Sequence, residues 1–145
     1  MEYYERIQGF NDVLAEKFPD VHVIGYVNRQ FDWFSNTEAF CSVDGIYFND
    51  LDSNLSQIIN IKKRTDSKRI VCIGHELSAN LVEYIKDGTI TASIKQDAYF
   101  QGYMVVKQLF ECIFEKRLPE KCNFDVAFDI VLAENIEQFM KYLSF

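Results

Sequence analysis

Two prolines, six glycines and one tryptophan in 145 residues already exclude several kinds of protein. The glycines stand singly, so the chain has no GxGxxG turn, no GxxxxGK[ST] loop and no GxSxG elbow. The usual signatures of dinucleotide binding, phosphate cradling and α/β-hydrolase chemistry are therefore missing. No basic run exceeds Lys62-Lys63-Arg64, and the net charge is −7, which gives no electrostatic footprint for a nucleic-acid backbone. The opening MEYYERIQGF carries acids and tyrosines where a signal peptide needs a basic stretch followed by an apolar one. No apolar run approaches a membrane span. The expectation is a soluble, cytoplasmic segment with no membrane partner.

The four cysteines, Cys41, Cys72, Cys112 and Cys122, lie far apart without a CxxC, and the two histidines, His22 and His75, are isolated from one another. Convergent metal ligands are lacking, so no metal and no cofactor is expected, and the thiols read as free in a reducing compartment.

What the chain does have is hydrophobic periodicity. Apolar residues make up 48% of it, enough for one domain of ordinary core size. Tyr4, Ile7, Phe10, Val13, Leu14 and Phe18 recur at helical spacing and predict a helix over 3–18, closed by Pro19. Short β-branched runs predict strands at 21–27 (VHVIGYV), 43–48 (VDGIYF), 69–74 (RIVCIG) and 89–94 (TITASI). Between them LDSNLSQIINIKK and LSANLVEYIKDG have helical spacing, the second closing on Gly88. Another helix is predicted over 98–117. Strands alternating with helices predict an α/β fold, a mostly parallel sheet flanked by helices.

Ligands of such sheets gather at the carboxyl ends of the strands. Here those ends carry Asn28 and Arg29 with the aromatic cluster FDWF, Asn49 with Asp50, His75 with Glu76, and Gln96 with Asp97. Asp50 and Asp97 are equally well read as caps of the helices that follow. Glu76 and Gln96, longer and less favoured as caps, point to ligand contact. Amides, carboxylates and arginine beside Trp33 suit a polyhydroxylated ligand, whose hydroxyls both donate and accept.

The segments ERIQGF, DGIYFNDLDSNL, IVCIGHELSANLVEYIKDGTITASIKQDAYFQGYMVVKQLFECI and FDIVLAENI, in this order and spacing, resemble the C-terminal part of the sugar-binding core shared by LacI-type transcriptional regulators and type-1 periplasmic sugar-binding proteins. The resemblance runs from Glu5 to Ile136, and the GHEL…DGTI…IKQDAYFQGY portion is closer to the regulators. It implies that Arg6, Trp33, Asn49, Glu76 and Gln96 contact the ligand, with Glu76 standing where the family has an aspartate. It also implies that Gln96 lies at a crossover between two lobes, so that the helix from Ala98 would belong to a second lobe this chain lacks. Residues 1–145 would then be a single, partial effector-binding domain, with the stretch from Trp33 to Val43 too short for a full crossover helix.

The function implied is sugar or sugar-derivative binding by a LacI-type regulator, without catalysis. DNA would be reached only through a helix-turn-helix domain absent here. The apolar helix 98–117, left without its usual cover, is expected to drive homodimerisation or other self-association. A periplasmic solute-binding component of a sugar ABC importer shares the same core. A flavodoxin-like or hydrolase-like enzyme using Asp50, His75 and Glu76 is the reading from another class.

Overall fold

The computed structural model describes residues 2–26, 42–64, 70–119, 124 and 126–143. Helix α1 (Glu2–Lys17) is followed by strand β1 (Gly45–Phe48), helix α2 (Leu55–Arg64) and strand β2 (Val71–His75). A 3₁₀ turn (Ala79–Leu81) then runs into the short helix α3 (Val82–Lys86). Strand β3 (Ala92–Gln96), helix α4 (Ala98–Phe114) and strand β4 (Phe128–Val131) complete the frame, with 3₁₀ turns at Ile136–Gln138 and Met140–Tyr142.

The strands form one sheet in the order β1-β2-β3-β4. β1 and β3 run parallel to β2, whereas β4 returns antiparallel to β3. The α/β fold with a mostly parallel sheet is thus the one the alternation of patterns predicts.

Side-chain alternation gives this sheet two unlike faces. Phe48, Cys72, Ser93 and Val131 point to the first and are all buried. There Phe48, Cys72 and Val131 join Ile58 and Ile61 of α2, Val82 and Ile85 of α3, and Ile136 of the C-terminal turns in one cluster. Burial of each such side chain contributes about 1.5–3 kcal/mol. Gly74 shows how tight this face is. A Cβ there would run into the carbonyl of Phe48 and lie 2.8 Å from Leu51 Cγ, so the chain between β1 and α2 crosses directly over β2. Lys62 is buried at the other end of β2, its Nζ donating at 2.9 Å to the Ile70 carbonyl and tying the end of α2 to the start of the strand.

The second face is only partly covered. Phe10 of α1 stacks on Tyr47, with ring centroids 5.0 Å apart and planes 9° from parallel. Toward β4 the face opens, Phe128 and Ile130 being exposed, and so is Val71 at the start of β2. The predicted apolar stripe of α1 is accordingly half used, with Ile7, Phe10 and Leu14 partly covered and Tyr4, Val13 and Phe18 exposed.

One predicted strand is absent among the described residues. Residues 21–26 of VHVIGYV take no strand pairing and are exposed throughout, Ile24 at 67%. β-branched composition favours an extended backbone, but a strand exists only where a neighbouring edge accepts its hydrogen bonds. Among the described residues no strand pairs with this segment. The segment predicted as one helix over LSANLVEYIKDG is split into the 3₁₀ turn and α3, and Gly88, at φ 78°, closes it with its N–H donating to the Ile85 carbonyl at 3.2 Å. The long helix ends at Phe114, three residues before the predicted Arg117.

Candidate functional site

The carboxyl ends of β1 and β2 and the inner side of α1 meet at one corner of the sheet. Arg6, in the second turn of α1, sends its guanidinium into this corner, where Nη1 donates to the Asn49 carbonyl at 2.8 Å. Its Nη2 lies 3.9 Å from Glu76 Oε1. The Arg6 side chain is 14% exposed and that of Glu76 52%, so the pair is anchored on the arginine side and open on the carboxylate side.

Glu76 is held in an unusual backbone. Its φ of 81° lies in the left-handed region, which costs a non-glycine residue roughly 1–2 kcal/mol. Its N–H donates to Ile94 O at 3.2 Å and its carbonyl accepts from Ser93 Oγ. Two bonds to β3 thus fix the turn that carries the carboxylate out of the line of β2 toward Arg6.

Asn49, directly after β1, contributes a side chain as well as a carbonyl. Its Oδ1 is buried and has no hydrogen-bond partner among the described residues. Such an acceptor costs about 1–3 kcal/mol when left unmade, and it is the kind of group that a ligand hydroxyl satisfies.

Beneath these groups lies an aromatic floor. Tyr47 Oη and His75 Nε2 are 2.6 Å apart, and the two rings meet edge to face at 5.7 Å. Burial pushes the Tyr47 phenol up, and the nearby Arg6 guanidinium pulls it back only in part. The phenol therefore stays protonated and keeps its hydrogen-bonding role. Tyr47 was not singled out from the sequence. The signal was the alternation in GIYF, which puts Tyr47 on the face opposite the buried Phe48 and on the side where α1 packs.

Of the predicted ligand residues, the fold brings Arg6, Asn49 and Glu76 together. Gln96 ends β3 on the same rim, since the register pairs His75 with Ile94, but its Oε1 accepts from Gln101 Nε2 of α4 at 3.1 Å. Trp33 lies outside the described residues. Asp97 is a cap, accepting from the Phe100 N–H at 2.9 Å at the start of α4, whereas Asp50 stands five residues before α2 and its Oδ1, accepting from the Ser53 N–H at 3.1 Å, closes the turn between β1 and that helix. The absence of a long loop before α4 has its explanation here, because Asp97 alone connects β3 to the helix and supplies its cap.

Among the described residues no group of three or more His, Cys, Asp or Glu side chains is arranged to hold a metal. No helix there is long and apolar enough to cross a membrane. Cys72, fully buried, and Cys112 are free thiols. Cys41 and Cys122 lie outside the described residues.

An open α/β sheet with a rim of arginine, amide and carboxylate at its strand ends defines the class: a ligand-binding domain of the periplasmic-binding type. Residues 2–116 match the family model of the periplasmic binding protein domain, and the chain belongs to that family. Solved structures of the same fold include a sugar-binding protein of a sugar ABC transporter from Bacillus halodurans, 19% identical, with a TM-score of 0.77 over 94% of this chain and 52% of that one. A solute-binding protein of an ABC transporter from Agrobacterium vitis, solved with bound D-fucose, is 22% identical, with a TM-score of 0.74 over 97% of this chain and 50% of the other. A putative LacI transcriptional regulator from Bacteroides fragilis is similar too, at 18% identity and TM-score 0.73 over 92% and 47%. The chain spans about half the length of these proteins.

Proposed function

We propose that this chain is a sugar-binding effector domain of a LacI-type regulator, in which Arg6, Asn49 and Glu76, with Gln96 along the same rim and Trp33 as the further contact that the family resemblance implies, hold a hydroxyl-rich ligand without transforming it. One observation carries the reading: the Arg6 guanidinium, held on the Asn49 carbonyl, lies 3.9 Å from Glu76, and the same Asn49 keeps a buried Oδ1 without a hydrogen-bond partner among the described residues. A carboxylate that is half exposed and only loosely paired can accept a hydrogen bond from a ligand hydroxyl, and Asn49 Oδ1 can accept another. The Phe10, Tyr47 and His75 rings provide apolar surface below. That a similar structure holds D-fucose supports the ligand class.

The regulatory part of the proposal rests on the GHEL…IKQDAYFQGY resemblance, and the free thiols Cys72 and Cys112 agree with a reducing compartment. DNA would be engaged through a separate head, its geometry set by ligand-dependent lobe closure. A solute-binding component of a sugar importer is the second reading, favoured by the similarity to the transporter proteins.

Calorimetric titration of the chain with D-fucose and a panel of other monosaccharides tests ligand binding. A heat is expected from at least one of them, of millimolar strength or about −4 kcal/mol, and it should disappear in Glu76→Gln. Absence of heat from every sugar, with Glu76→Gln melting like the parent in each of them, removes the proposal.

A further inference from the structure

Arg6 and Glu76 stop short of each other. Arg6 Nη2 and Glu76 Oε1 are 3.9 Å apart, beyond hydrogen-bonding distance, although a guanidinium and a carboxylate that approach unhindered settle at about 2.8 Å. A hydroxyl oxygen about 2.8 Å from both atoms sees them at an angle of about 90°, so one hydroxyl is able to accept from Arg6 and donate to Glu76. The width of this gap is therefore what a hydroxyl-binding site has to preserve.

The two partners are anchored to different strands. Arg6 belongs to β1: its Nη1 donates to the Asn49 carbonyl, and Phe10, four residues on and on the same helical face, seats α1 on the Tyr47 ring. Glu76 belongs to β2, directly following His75, and its main chain is bonded to β3 through Ile94 O and Ser93 Oγ. Backbone pairing of β1 with β2 ends at Phe48 and Gly74, short of both Asn49 and Glu76. Beyond that last pair the strand ends are tied in two ways. The Leu51 N–H donates to the His75 carbonyl at 2.9 Å. On the face that carries α1, Tyr47 lies opposite Ile73, which puts the Tyr47 and His75 side chains on the same side of the sheet, and there Tyr47 Oη and His75 Nε2 lie 2.6 Å apart.

We propose that Tyr47 is a positioning residue of the ligand site: through its bond to His75 it holds the ends of β1 and β2 at the separation that keeps Arg6 and Glu76 one hydroxyl apart. This deepens the sugar-binding reading and rests on it. Without the bond the two charged groups pair directly, and a sugar has to break that pair before it binds. With the bond the gap exists before the sugar arrives, and the cost of opening it is met in folding, which is the advantage of a preorganised site.

Tyr47→Phe tests this, because it keeps the ring on which Phe10 stacks and removes only the hydroxyl. Binding of D-fucose and the other monosaccharides of the panel is followed by NMR titration well below the melting transition. Nearly every molecule is folded there, so a variant that is merely less stable binds as the parent does. A loss of affinity of about fivefold is expected, the worth of one hydrogen bond. His75→Asn should lose as much, and the double variant no more than either single one, because all three remove the same bond. Unchanged affinity in Tyr47→Phe, or additive losses, overturns this inference alone; a parent that binds none of the sugars overturns the sugar-binding reading with it. A crystal structure of sugar-free Tyr47→Phe gives a readout that needs no ligand. Arg6 Nη2 and Glu76 Oε1 should close to about 2.8 Å, and a pair that keeps the parent's separation refutes the spacing role. Where circular dichroism shows Tyr47→Phe to be unfolded, His75→Asn, which breaks the bond from the other strand, takes its place in both measurements.

Discussion

Arg6 donates at 2.8 Å to the main-chain carbonyl of Asn49, 43 residues further along the chain. This bond ties the first helix to the end of the first strand and leaves the second guanidinium nitrogen 3.9 Å from Glu76. The two contacts differ in kind. The first is short, charge-assisted and well covered; the second is long and half open to water.

Arg6→Met therefore acts on stability. It removes a charge-assisted bond, worth about 1.5–3 kcal/mol, and strips the Asn49 carbonyl of its donor. Urea unfolding should show a lower midpoint at unchanged slope.

Glu76→Gln separates binding from folding. An ion pair this exposed contributes at most about 1 kcal/mol, so the unfolding midpoint should move little while the sugar-binding heat disappears. Equal losses in both would mean that Glu76 is a structural residue.

Glu76→Gly sharpens that distinction. Glycine adopts the positive φ of 81° without the Cβ penalty, and after the entropy it adds to the unfolded chain a net gain of up to about 1 kcal/mol remains. A protein that is more stable in denaturant titration yet binds no sugar is expected. A less stable one would show that the carboxylate itself holds the turn.

Gly74→Ala is expected to destabilise far more than its single methyl suggests. The new Cβ meets the Phe48 carbonyl and the buried Leu51 side chain, and overpacking of this kind costs roughly 1–3 kcal/mol. Thermal unfolding of the variant measures it.

Alkaline pH should weaken the fold. Burial pushes the Cys72 thiol up, with Lys62 offsetting it only in part, and burial pushes the Tyr47 phenol up as well. The Lys86 ammonium is raised by its hydrogen bond to Glu137, 2.8 Å away. Each group holds its proton more tightly folded than unfolded. The stabilisation is thus fully present below the unfolded-state pKa values and is lost as pH climbs through the folded ones. Melting temperatures should be level around neutrality and fall from about pH 8.5 upward, with a shallower fall in Cys72→Ala.

The local patterns of this chain were legible in its sequence. VDGIYF, RIVCIG and TITASI each lead into a strand, the last beginning three residues later than its pattern, at Ala92, IKQD leads straight into a capped helix, and Pro19 and Gly88 end helices, because backbone geometry and capping depend on neighbours in the chain. The rim was legible as a set of residue types at strand ends. What the sequence did not reveal is which apolar runs find partners. VHVIGYV and TITASI look equally fit to be strands, yet among the described residues only the second yields one, Ala92–Gln96, paired with β2 and β4. The tertiary structure also decided that Arg6, rather than Gln96, closes on Glu76, and that Tyr47 and His75 form the floor. Composition and periodicity determine what a segment is able to be; long-range pairing, whose hydrogen bonds and burial come from residues distant in the chain, determines what it becomes.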